Sequence, residues 1–126
     1  MRKYLGLILG LILIFSVNAF ALDASDWVIS SGDQTATAAI TTTEGVFHGV
    51  MLFTDGTNPV TLNIHDNATA ASGTNLIPSG YIVTTSASNR SHAISLMPPL
   101  RYYKGIYVSI TCAGTVHYVV LFRPTK

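Results

Sequence analysis

The sequence predicts an all-β protein, a single antiparallel β-sandwich of jelly-roll-like build with about seven or eight strands. Three observations carry this prediction. Beyond residue 21 the chain is rich in Thr, Ser, Ala, Val and Ile and poor in Lys and Glu, a balance that favours strands over helices. Its apolar residues recur with period two, and no stretch sustains the roughly 3.6-residue period of an amphipathic helix. Turn-forming clusters punctuate the chain at intervals of about 8–12 residues, the spacing of a sandwich or barrel.

The elements follow in order. Trp27–Ser30 and Thr35–Thr42 are short, weakly patterned strand candidates. Val46–Phe53 is apolar on both faces, as expected of a strand that is central in its sheet or covered by a partner. Asp55-Gly56-Thr57-Asn58-Pro59 then supplies a hairpin-type connection. The next strand is the clearest: Val60, Leu62 and Ile64 point one way, and Thr61, Asn63 and His65 the other. Asp66-Asn67 opens a longer turn that ends near Ser72-Gly73. Tyr81–Thr85 and His92–Met97 are further candidates, separated by the polar segment Ser86–Ser91, which reads as a loop tip. Pro98-Pro99 is expected to stop a strand. Ile106–Cys112 alternates cleanly, with Ile106, Val108, Ile110 and Cys112 inward and Tyr107, Ser109 and Thr111 outward. After Ala113-Gly114 the last strand, Thr115–Phe122, is again apolar on both faces.

The first 21 residues stand apart. Arg2 and Lys3 precede an apolar run from Leu5 to Phe15, interrupted only by Gly6 and Gly10, and Ala19-Phe20-Ala21 closes the segment with the small-x-small pattern that signal peptidase cuts after. A membrane-spanning helix needs roughly 20 apolar residues, more than this core supplies. The expectation is therefore a signal peptide at 1–21 and one exported β-sandwich domain at 22–126, with no membrane span after cleavage. Its location would be the periplasm, the cell surface or the extracellular space. Cleavage would remove Arg2 and Lys3, leaving five Lys and Arg against six Asp and Glu, a net charge of −1 in place of the +1 of the whole chain. No basic patch remains, which argues against nucleic acid as a partner. With Cys112 alone no intrachain disulfide can form, so stability must come from packing or self-association.

The chain holds no nucleophile elbow, no phosphate-cradling glycine loop and no paired-cysteine metal motif, so an enzyme is not expected. His48, His65, His92 and His117 lie on separate predicted strands without ligand spacing. His65-Asp66 is the one close pair that a metal-dependent enzyme would use; the spacing favours solvent-facing strand histidines, and no metal or other cofactor is expected. Cys112, on an inward face, reads as a small buried hydrophobe rather than a reactive thiol. Asn67-Ala68-Thr69 and Asn89-Arg90-Ser91 match the N-glycosylation tripeptide, a pattern frequent by chance. Tyr102, Tyr103 and Tyr107, with Arg101 and Lys104 beside them, form the candidate binding cluster: exposed tyrosines among cations suit a glycan or a protein surface, and the same residues suit strand packing or a subunit interface. Trp27 reads as a core or interface anchor.

Three blocks resemble a known group. Glu44-Gly45-Val46-Phe47-His48-Gly49-Val50 resembles an opening strand of the form GxLHGV. The stretch from Ile64-His65-Asp66-Asn67 through Ala70-Ala71-Ser72-Gly73-Thr74-Asn75-Leu76 is similar to YDNxxAASGTxL, and Pro99-Leu100-Arg101-Tyr102-Tyr103-Lys104-Gly105-Ile106-Tyr107-Val108 to PxxFxxGLxV. In this order they resemble small β proteins of tailed phages and prophages, over about residues 35–122. The resemblance implies a small, self-associating sandwich in or on a virus particle and brings no catalytic residues with it. The chain departs from that group in its export signal. The functional expectation is a non-catalytic exported structural or surface-assembly protein, phage-related and homo-oligomeric, its oligomer number left open with a trimer as one option; its partners would be copies of itself, a cell-surface glycan, or a virion or envelope protein. The alternative is a carbohydrate- or cell-surface-binding module using the tyrosine cluster.

Overall fold

The structure, a computed structural model, describes residues 27–125; the expected signal peptide lies outside them. Among the described residues every regular element is a strand, and every pairing is antiparallel. In chain order they are β1 (Ile29–Ser30), β2 (Ala38–Thr41), β3 (Gly45–Thr54), β4 (Val60–Asp66), β5 (Thr74–Asn75), β6 (Tyr81–Val83), β7 (Ser91–Tyr102), β8 (Ile106–Cys112) and β9 (Val116–Pro124).

One sheet has the order β1-β9-β3-β7; the other runs β2-β8-β4-β5, with β6 also paired to β4. β5 pairs with the His65–Asp66 end of β4 and β6 with its Val60–Leu62 end, so they act as one strand broken in the middle. Counted so, eight strands divide between two four-stranded sheets in the double Greek-key order of a jelly roll. The break is useful to the core. Leu76 and Ile77 turn inward and are buried, the Leu76 N–H donates to the Ile64 carbonyl at 2.7 Å, and the Gly80 N–H donates to Asn63 Oδ1 at 2.6 Å.

Alternation sets the core. Val60, Leu62 and Ile64 of β4 and Ile106 and Val108 of β8 face Phe47, Val50 and Leu52 of β3 and Tyr118, Val120 and Phe122 of β9 in one continuous buried cluster. Burying each such side chain contributes about 1.5–3 kcal/mol. The two strands apolar on both faces, β3 and β9, are the two central strands of their sheet, and their second apolar face points away from the core.

Two expectations are corrected. Pro98-Pro99 does not end a strand: β7 runs on to Tyr102. β7 lies at the edge of its sheet, where an absent N–H costs no ladder bond. Its partner register jumps from Gly49↔Ser95 to Phe47↔Leu100, so Leu96–Pro99 bulges out of the pairing, with a cis bond at Met97–Pro98. Trp27 is no core anchor; it is 63% exposed beside the edge strand β1.

Candidate functional site

The predicted cluster divides in the folded chain. Tyr102 is fully buried, so it cannot meet a surface ligand and does not belong to an exposed group. It ends β7 opposite Gly45, where any Cβ would collide with the Tyr102 hydroxyl. That hydroxyl is covered and has no hydrogen-bond partner. Burial, with the negative charge of Asp66 added, pushes the phenol up to about 12.

Tyr103 is on the surface, but the Arg101 guanidinium already stacks on its ring, 5.2 Å from the centroid. Arg101 also pairs with Glu44 at 3.3 Å. Lys104 is exposed on the same turn. The turn itself is held from beneath. Asp66 ends β4 on the inward face, and its carboxylate accepts the Tyr103 N–H at 2.9 and 3.0 Å and the Lys104 N–H at 2.7 Å. Gly105 follows at φ 133°, where a side chain would strike the Thr41 carbonyl. His65 and Asp66, adjacent in sequence, therefore point to opposite faces of β4 and share no site. Among the described residues no three His, Cys, Asp or Glu come together in a metal-holding group. Cys112 is half-buried against the core and accepts the Gly114 N–H at 3.4 Å.

Tyr107 lies elsewhere, on the outer face of the β2-β8-β4-β5 sheet. There register forms a row across four strands, Ala39–Tyr107–His65–Asn75, with Ser109 opposite Asn63 and Thr111 opposite Thr61 beyond it. His65, Asn63 and Asn75 were not among the predicted binding residues. Period-two alternation places each on an outward face, but only strand pairing sets them beside Tyr107.

The outer face of the other sheet is different. Met51 and Phe53 of β3 stand opposite Val119 and His117 of β9 on one side and Ala93 and Ser91 of β7 on the other. Leu121 continues the patch opposite Gly49. Met51 and Phe53 are exposed, and a cavity of about 200 Å³ opens at the β3–β7 seam between Met51, Phe53, Ser91 and Ala93. His117 at its margin binds Asp33 at 2.9 Å, tying the segment after β1 to β9.

These features define a jelly-roll β-sandwich with one apolar and one polar outer face. Comparison with protein families, curated proteins and solved structures finds no match for this chain.

Proposed function

We propose that this protein is a non-catalytic, exported assembly module that works as a homo-oligomer, its copies meeting through the outer face of the β1-β9-β3-β7 sheet. The observation that carries this reading is the apolar patch of Met51, Phe53, Val119 and Leu121 on the two central strands. A sheet face left to solvent is ordinarily polar, giving clean alternation; here the alternation is lost on the face that does not touch the core.

At about 4.8 Å between strands and about 3.4 Å per residue, the patch, two strands wide and five residues long, covers roughly 160 Å². A stable interface buries about 800 Å² on each partner, an apolar centre within a polar rim. Ser91, Ser95 and the His117–Asp33 pair surround the patch and suit that rim. A second copy of the chain would bring the same chemistry to the contact. The leader at 1–21 and the resemblance to phage β proteins support export and assembly. Fold alone does not, because jelly rolls serve coats, lectins and enzymes alike.

Sedimentation over a range of concentrations tests the proposal. The purified protein sediments as a discrete oligomer, and Phe53→Asp dissociates it to a monomer with an unchanged β-sheet spectrum. A wild-type protein that stays monomeric at every concentration would refute it.

A further inference from the structure

We infer that the outer face of the β2-β8-β4-β5 sheet is a binding surface for neutral saccharides, centred on Tyr107 and His65. The inference goes beyond assembly and uses the opposite side of the molecule.

The chemistry of the face points to this ligand. Its outward residues are Thr61, Asn63 and His65 on β4, Tyr107, Ser109 and Thr111 on β8, and Ala39, Asn75 and, at the β6 edge, the exposed Ile82 on the flanking strands. None carries a fixed charge. An acidic polymer needs Lys or Arg, and a protein partner needs an apolar centre. Hydroxyls, amides and an imidazole around a phenol ring are instead what a polyol requires: short donors and acceptors for its hydroxyls, and a flat ring for its C–H face.

Geometry adds to composition. Tyr107, His65 and Asn75 lie directly opposite one another on three adjacent strands, so their side chains line up across roughly 10 Å. That span suits two linked sugar rings. Tyr107 is half-buried, which holds its ring in place, and only the methyl of Ala39 stands opposite on its β2 side. The Asn63 amide is oriented by the Gly80 N–H bond to its oxygen, leaving its NH₂ as the free donor. The covered Nδ1 of His65 has no partner, and the outer nitrogen, Nε2, is the one that meets solvent. Tyr103, by contrast, has its ring face taken by Arg101.

The test is amide chemical-shift mapping on the protein purified from expression of the whole chain. Cellohexaose, chitohexaose, maltohexaose and dextran serve as neutral probes, with heparin as the anionic comparison, all at millimolar concentration. At least one neutral probe is expected to shift, saturably, the amides of residues 61–65 and 107–111. Tyr107→Ala weakens that binding about tenfold, the loss of one aromatic contact of about 1.4 kcal/mol. Tyr107→Phe keeps the ring and stays close to wild type, and Tyr103→Ala changes nothing. Melting temperatures verify that each variant is folded; should Tyr107→Ala fail to fold, Asn63→Asp, which keeps the side-chain shape, carries the same expectation of loss. No response to any neutral probe, binding of heparin alone, or shifts centred on Tyr103 and Lys104 would each overturn the inference.

Discussion

Asp66 and Tyr103 are joined across the top of the sandwich: the buried carboxylate at the end of β4 accepts the Tyr103 backbone N–H through both oxygens, at 2.9 and 3.0 Å. With the Lys104 N–H at 2.7 Å, one side chain of one sheet closes the turn by which the chain crosses from the other. Hydrogen bonds to a charged acceptor contribute about 1.5–3 kcal/mol, and an orphaned buried donor costs a similar amount. Asp66→Ala is therefore expected to destabilise the fold by about 3 kcal/mol in urea denaturation, and Asp66→Asn, which keeps one acceptor, by about 1 kcal/mol. A loss for Asp66→Ala no larger than that of an ordinary surface substitution would contradict this role.

Tyr102 presents the opposite case. Its hydroxyl is buried without a partner, and such a group costs about 1 kcal/mol or more. Tyr102→Phe removes the oxygen and keeps the ring in the core. The variant is expected to be more stable than the parent by about 1 kcal/mol, read as a higher urea midpoint at unchanged slope. A clear loss of stability would show that the hydroxyl is bonded in solution.

The alkaline limb follows from two phenols. Burial pushes both Tyr102 and Tyr118 up to about 12, with Asp66 adding to the first and Tyr107 to the second. The Tyr118 hydroxyl also donates to the Ala36 carbonyl at 2.7 Å. A phenol raised in the folded state keeps its proton where the unfolded chain has begun to lose it. Its contribution is fully present below the ordinary value of about 10 and is lost as pH rises toward 12. Stability should be flat through neutral pH and fall steeply across that window. The phenolate absorbance of this buried pair should rise only together with unfolding. A single smooth titration, with the fold intact above pH 12, would count against it.

Asp55 governs the acid side. Its carboxyl is held below the usual 3.8 by the Thr57 N–H, then by the Asn58 side chain, the Asn58 N–H and the Thr115 N–H. These bonds tie the β3–β4 turn to the β8–β9 turn. A depressed acid stabilises above its unfolded value and loses that contribution as pH falls through the folded one, so these turns should loosen below about pH 4. Gly114 sits against the same carboxylate, and a Cβ there would overlap Asp55 and the Asn58 amide. Gly114→Ala should accelerate amide exchange of Thr57 and Thr115 at neutral pH, while Ala113→Ser nearby should not.

Alternation alone determined much of this protein. The inward sets Val60, Leu62, Ile64 and Ile106, Val108 are legible because a strand has only two faces, and the doubly apolar Val46–Phe53 and Thr115–Phe122 announce the central strands. The expectation of an export signal at 1–21 likewise rests on a local pattern. What tertiary structure decided is phase and adjacency. The Leu96–Pro99 bulge resets the alternation, so nothing local shows that Tyr102 turns inward while Tyr103 stays out. Strand order, fixed by how two sheets share one core, sets Tyr107 beside His65 and Asn75 and parts it from the tyrosines nearest in sequence. A side chain's face is encoded over two residues; its neighbours across a sheet come from pairings between segments far apart in the chain.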